Sequence, residues 1–419
     1  EGSEAWYQDI DEDGYGDPEG LIWICEGQDK TGLVQDDSDC LDTNAEVNPE
    51  AEEVCVDGLD NDCDGSWNSC ILEGDRDVRD ADIRWAFDDI PSVTARGLGT
   101  SMAWRDASAG AAFMVGASDT SKGSVFFVTV EEEEAGWEIV LQMTLNGAET
   151  GDALGVSLVA LGGNTPSVML GGNLVNGVDT GDYALGAAYR IPETALAESG
   201  GSRSVEDLAV ATLFGSDNYV WMGQALSSAG DFFGPSGPDG IVDFMAAEPR
   251  AEADSVYAAG RVLLVRGDLE GDLNDQDASV VLMGETVDGL LGTSLSALGD
   301  IDGDGLEDFL VGEVGNLWYQ GLAHVITGDL LSGLEDTILR ASETDARIQG
   351  SVMGESLGIA LAGPGDLDGD GLSDIATGAV PGPSGQGEVG LWFMSPAEGL
   401  SGDLSSLDAA GRIEGDGIE

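Results

Sequence analysis

Residues 299–313 read GDIDGDGLEDFLVGE, and the pattern returns at 365–379 as GDLDGDGLSDIATGA. Each copy sets four aspartates within nine residues, ahead of a short apolar run that reads as a strand. Numbered from Asp300, carboxylates fall at positions 1, 3, 5 and 9 (Asp300, Asp302, Asp304, Asp308), with Gly305 at 6 and Leu306 at 7. The second copy places Asp366, Asp368, Asp370, Leu372 and Asp374 in the same roles. Carboxylates at alternate residues can converge on one cation, the carbonyl at position 7 adds an oxygen, and the glycine permits the sharp turn. Such hard oxygen donors suit calcium, with magnesium second because it demands tighter octahedral geometry. An EF-hand does not fit, since Val311 or Thr377 stands where its glutamate is needed.

A longer repeat surrounds these loops. A Leu-Gly-x-small signature starts at Leu98, Leu154, Met222 (as MGQA), Leu291 and Leu357, which are 56, 68, 69 and 66 residues apart. Each copy is followed by a glycine leading into a strand, at Gly123, Gly186, Gly260, Gly321 and Gly387, and then by an isolated β-like run such as SVVLMG. In the fourth unit strands are expected near 293–298, 308–312, 321–327 and 344–349. Four short strands per unit, separated by Gly and Asp turns, predict an all-β chain, and radial repetition of four-stranded sheets is a β-propeller. The units lie near 82–145, 146–215, 216–282, 283–348 and 349–413, within a repeat domain over 73–419. An open β-solenoid is the alternative, although the period is long for a solenoid rung.

The acidic loop is not kept in every unit. The third retains Asp231, Asp239 and Asp243 in GDFFGPSGPDGIVDF with four residues inserted, whereas the first and second lack enough ligands. The repeat can therefore form without an ion.

The chain carries 81 acidic against 15 basic residues, a formal net charge of -66. Such a surface repels nucleic acid and anionic lipid, and its self-repulsion calls for screening by cations. No apolar run approaches the ~18 residues needed to span a bilayer, so direct membrane insertion is not expected. The abrupt ends, EGSEAWYQDID and GRIEGDGIE, read as those of a portion of a longer protein. All five cysteines precede residue 71, which predicts a small stapled module over 1–72.

That module carries the same ligand spacing. Asp9, Asp11, Asp13, Tyr15 and Asp17 occupy positions 1, 3, 5, 7 and 9, and Asp60, Asp62, Asp64 and Asn68 fit it less fully. Several calcium ions are therefore expected. Cys25 with Cys40 and Cys55 with Cys63 are plausible disulfides, though sequence cannot fix connectivity; metal ligation by cysteine is the rival, and Cys70 is left over.

The Leu-Gly-x-Ser lead, the D-x-D-G-D-G-x-x-D loop and the Gly-led strand resemble the FG-GAP repeats of integrin α-subunit propellers and their bacterial relatives, over roughly residues 82–419. The resemblance implies a calcium-studded extracellular propeller that serves adhesion or ligand binding. Integrin propellers have seven blades, so with five units visible ring closure calls for further sequence. Residues 6–65 are similar to the metal-binding motif named for the MopE copper protein. Copper itself is not expected, because its sites favour imidazole or sulfur and the lone histidine, His324, sits in a repeat strand as a structural residue.

No GxSxG, HExxH or phosphate-cradling loop is present, and a non-catalytic protein of the cell surface or extracellular space is expected. Its partner is a protein or glycan on a surface or matrix, or another copy of itself. Trp104, Trp221, Trp318 and Trp392 could instead stack on sugars in a lectin-like propeller, or serve as core residues. A secreted hydrolase is the least favoured class, since aspartates that ligate calcium are poor general acids.

Overall fold

The computed structural model describes residues 3–11, 13–18, 20–25, 27–45, 47–49, 51, 63, 98–107, 110–118, 122–133, 136–149, 151–175, 184–197, 201–234, 238–315, 319–380, 387–394 and 402–414. The chain forms two compact units, Glu1–Arg84 and Trp85–Glu419. Among the described residues the architecture is all-β; helix is confined to short turns such as Glu193–Leu196 and Gly328–Leu331. No helix among them is long and apolar enough to cross a membrane.

Among the described residues the larger unit contains five sheets, one per repeat. In the fourth, Leu291–Gly299, Asp308–Glu313, Leu322–Ile326 and Ala346–Gln349 pair antiparallel in chain order. The other four sheets are built alike, beginning with Leu98–Ala107, Leu154–Leu161, Leu226–Ser228 and Ala360–Gly365.

Successive residues of a strand point to opposite faces, and here both faces are buried. Phe309 and Val311 pack with Met245, Ala247 and Val262 of the third sheet. Between them, Leu310 points the other way, into a cluster with Ile375 and Trp392 of the fifth. Val168 and Leu170 of the second sheet likewise face the first, while Met169 faces the third. Strands covered on both sides read as unbroken apolar runs, which is why GSVFFV and GRVLLV show no alternation.

The repeat landmarks meet where consecutive sheets touch. Gly123, Gly186, Gly260 and Gly321 form parallel bridges to Leu154, Met222, Leu291 and Leu357, the leading residue of the next signature. All four glycines have positive φ, and a Cβ on any of them would strike the backbone of that partner. The serine of the signature reaches across the same boundary. Ser101 Oγ donates to the Gly155 carbonyl at 2.7 Å, Ser157 to Gly223 at 2.7 Å and Ser294 to Gly358 at 2.5 Å. Ala225 and Ala360 stand at this place in the third and fifth repeats and have no hydroxyl to offer.

The structure adds a strand that the four-strand reading does not contain. Ser202–Ser204, Gly271–Leu273, Thr337–Arg340 and Gly402–Ser405 each lie between the third and fourth strands of one repeat and pair parallel with the outermost strand of the repeat before it. A single 3₁₀ turn follows each one. In two of these turns, led by Asn274 and Ser405, the side chain caps a backbone N–H and the acid three residues on returns the bond. Four sheets thus have five strands, the outermost borrowed from the next repeat.

The smaller unit contains a three-stranded sheet, Ser3–Gln8 flanked by Ile22–Cys25 and Leu33–Val34. Its disulfide differs from the expected pairing. Cys40 is joined to Cys63, with Cα atoms 5.6 Å apart, and Cys25 is a free, exposed thiol. Pairing of Cys25 with Ser3 holds it at the end of its strand, while Cys40 follows the loop after Leu33–Val34. The Cys25–Cys40 and Cys55–Cys63 pairings are therefore both corrected; Cys55 and Cys70 lie outside the described residues.

The close approach at the repeat boundary sets an expectation. Gly260→Ala forces both a strained φ and a collision with the Leu291 backbone, at a cost on the order of 3 kcal/mol. Ser157→Ala removes one hydrogen bond and costs about 1 kcal/mol. Urea unfolding of the two variants measures the ratio.

Candidate metal centre

The two acidic loops of the fourth and fifth repeats each join the first strand of a sheet to its second. Four internal hydrogen bonds recur in both, and the fifth-repeat loop adds one from the Asp370 N–H to Asp366 at 3.1 Å. Asp300 accepts the Gly303 and Gly305 N–H groups at 2.6 and 2.8 Å, Asp302 accepts from Asp304 at 3.1 Å, and Asp304 from Leu306 at 2.7 Å. Asp366, Asp368 and Asp370 repeat this with Gly369, Gly371, Asp370 and Leu372. Gly305 and Gly371 have φ of 85° and 95°, the conformation the turn requires. The result brings one oxygen each from Asp300, Asp302 and Asp304 within 4.8 Å of one another, and likewise from Asp366, Asp368 and Asp374. Desolvation, followed by the charges of Asp304 and Asp300, raises the Asp302 pKa.

Position 9 has a second duty. Asp308 is fully buried; its two oxygens accept the Ile301 and Gly328 N–H groups, both at 2.7 Å. Asp374 accepts those of Leu367 and Met394 at 2.7 and 2.9 Å. In the third repeat Asp243 accepts from Phe232, Phe233 and Gly267 at 2.8–2.9 Å. Each of these aspartates clamps the acidic loop to the residues just beyond the third strand of its sheet. Burial pushes Asp308 up to about 7 and Asp243 up to about 6. Asp231 accepts from Asp239 and Gly240 and shapes the third loop, but Asp231, Asp239 and Asp243 form no three-acid group among the described residues.

The N-terminal loop is built from the same turns and is drier. Asp11 Oδ1 accepts the Asp13 N–H at 3.3 Å, Asp13 Oδ1 accepts that of Tyr15 at 2.9 Å, and Gly14 has φ of 103°. Asp9, Asp11 and Asp13 offer oxygens within 4.8 Å of one another. Asp17 instead anchors the loop through its backbone, which donates to the Gln8 carbonyl at 3.0 Å. A second group of oxygens, from Asp11, Asp39 and Asp42, lies beside the first. Asp39 and Asp42 escaped the sequence reading because they come from another loop, three residues apart, and do not follow the alternate spacing. Asp60, Asp62, Asp64 and Asn68 lie outside the described residues.

Other candidates are placed elsewhere. His324 is buried in its sheet, with Nε2 2.9 Å from Glu313 Oε2 and Nδ1 3.3 Å from Thr344 Oγ1. Trp392 is core and Arg250 stacks over Trp221. Trp104 is 60% exposed against the edge of Phe113, and Trp318 lies outside the described residues.

Residues 39–67 match a family described as "Putative metal-binding motif", of the copper-binding MopE type. Over 94 residues the chain is 35% identical to human integrin alpha-X, an alignment that covers 22% of this chain and 8% of that protein. The donors do not fit copper. The clusters offer carboxylates, Cys40 and Cys63 are oxidised to a disulfide, and the one histidine lies in a repeat strand. Hard cations fit them, because charged oxygens are what such ions select.

In the fourth repeat the clamp and the three-acid cluster are separable by mutation. Asp308→Ala strands two buried N–H groups, and a loss on the order of 2–5 kcal/mol is expected in chelator and in divalent cation alike. Asp302→Asn, at an exposed position, is expected to stay within about 0.5 kcal/mol of the parent in chelator. Urea unfolding in both conditions checks this, and an Asp308→Ala loss seen only with cation removes the clamp.

Proposed function

We propose that this chain is a calcium-binding, non-catalytic adhesion or structural protein of the cell surface or extracellular space, its five sheets being blades of an FG-GAP-type propeller. The observation that carries the reading is the pair of loops in the fourth and fifth repeats that share four internal hydrogen bonds, each bringing three aspartate oxygens within 4.8 Å, from positions 1, 3 and 5 in the fourth and 1, 3 and 9 in the fifth. The similarity to a stretch of integrin alpha-X and the metal-binding motif over 39–67 support it. So does the disulfide, which belongs to an oxidising compartment. In this reading calcium stiffens the loops at one end of the blades, and that end presents a fixed surface to a protein or glycan partner.

One observation favours a glycan-binding reading. Ala103 packs inward on the first sheet, so its neighbours Met102 and Trp104 face the other way and are exposed, and an exposed indole is a stacking platform for a sugar ring. Retention on a glycan array that Trp104→Ala abolishes would select it.

Thermal unfolding with calcium, with chelator, and with chelator plus matched sodium or magnesium chloride tests the main reading. Calcium at a hundredfold over its Kd adds about 2.7 kcal/mol per site. A rise in Tm specific to calcium and reduced in Asp302→Asn and Asp368→Asn is expected. An equal rise with sodium chloride reduces the loops to a salt-screened acidic surface.

A further inference from the structure

Two loops of the N-terminal unit aim carboxylates at one dry spot. Ile10 N–H fixes Asp42 Oδ1 at 2.8 Å, Leu41 N–H fixes Asp39 Oδ1 at 2.8 Å, and the Asp39 N–H is held by the Gly16 carbonyl at 3.3 Å. With one oxygen anchored, the other is directed inward. Asp9 Oδ1 and the Oδ2 atoms of Asp11, Asp13, Asp39 and Asp42 are all sealed from solvent and accept no hydrogen bond. Asp39 is 2% exposed and Asp42 8%. Burial first, then the charges of neighbouring aspartates, raise the pKa of both. Buried carboxylate oxygens that face one another without a donor need a counter-charge.

We propose that Asp39 and Asp42, together with Asp11, ligate a hard cation of the calcium class that ties the 9–17 loop to the 39–42 loop. This rests on the reading of the acidic loops as cation sites, and it assigns to that chemistry two residues outside the alternate spacing. Asp11 is common to both groups of oxygens, so it is the residue through which a cation held by Asp39 and Asp42 engages the 9–17 loop. Cys40 lies between the two new ligands, which makes the Cys40–Cys63 disulfide a local reporter of the site. Cation binding that holds residues 39–42 in place closes the local opening through which a reductant reaches that bond, and to the extent that the cation prefers the disulfide form at equilibrium, reduction weakens the cation by the same factor.

The test uses the full chain with calcium chloride, or with chelator and matched sodium chloride. Hydrogen exchange is read at the Ile10 and Leu41 amides, and reduction of Cys40–Cys63 by a dithiol is followed by alkylation and mass mapping. Calcium is expected to slow exchange at both amides and to slow reduction about tenfold. Asp39→Asn and Asp42→Asn are expected to lose the slowing, and Asp37→Asn, an exposed acid in the same loop, to keep it. Unchanged exchange at Ile10 and Leu41 in the parent chain overturns the proposal whether or not the variants fold, as does equal slowing by sodium chloride. The Leu306 and Leu372 amides report the repeat loops in the same spectrum. Slowing only there sinks this proposal alone, and slowing only at Ile10 and Leu41 sinks the repeat-loop reading alone.

Discussion

A backbone N–H two residues beyond an aspartate can donate to that aspartate's carboxylate, and this short bond shapes every acidic loop described above. It curls the chain without help from the rest of the protein, because donor and acceptor are neighbours in sequence. It also leaves lone pairs over, since an ionised carboxylate has about four acceptor sites and the turn uses one or two. What becomes of the remainder depends on solvent. At Asp302 and Asp304 it faces water, which satisfies it. At Asp39, which makes this bond with Leu41, and at Asp42, whose Oδ1 is held by Ile10 of the other loop, the second oxygen is sealed from water, and its lone pairs call for positive charge. One local turn thus leaves solvated carboxylates in the repeats and, in the N-terminal unit, carboxylate oxygens with no donor.

That distinction explains why repeats one and two lack the loop without losing their sheets. The sheets are held by apolar faces and by glycine-mediated contact between neighbours, neither of which involves a carboxylate. Asp243, Asp308 and Asp374 show where a carboxylate does enter the framework: buried, with both oxygens given to backbone N–H groups, it pins the loop to the chain leaving the third strand at the same end of the sheet. The third repeat keeps this clamp although insertion has dispersed its other acids. The clamp therefore persists without the acidic cluster in the third repeat, stands apart from it at Asp308 in the fourth, and coincides with it at Asp374 in the fifth.

Much of this was legible from spacing alone. The strands of the fourth repeat, the two matched loops and the glycine landmarks all rest on local chemistry that recurs at a fixed phase. The borrowed parallel strands were not legible. SRS, GDL, TILR and GDLS are three or four residues long and mostly polar, and they pair with a chain segment some 55–60 residues earlier. Such pairing carries no periodic signal. The Cys40–Cys63 bond and the Asp39–Asp42 contribution failed for a related reason: both depend on how one loop lies over another, which spacing within either loop does not encode.

The charge of the whole chain follows from the same architecture. Strands such as Asp308–Glu313 and Phe244–Glu248 are buried along their entire length, so the acids of the repeats fall largely on loops, edges and strand ends. Because the repeats are in phase, the acidic loops of the fourth and fifth both join the first strand of a sheet to its second, and their like charges fall at corresponding places on successive sheets. Screening by monovalent salt weakens that repulsion everywhere without regard to position. A divalent ion held by the loop removes it where it is generated. An in-phase acidic repeat therefore stands to gain more from ion-binding loops than an irregular acidic protein of equal net charge, and on the function proposed above that gain falls at 300–308 and 366–374.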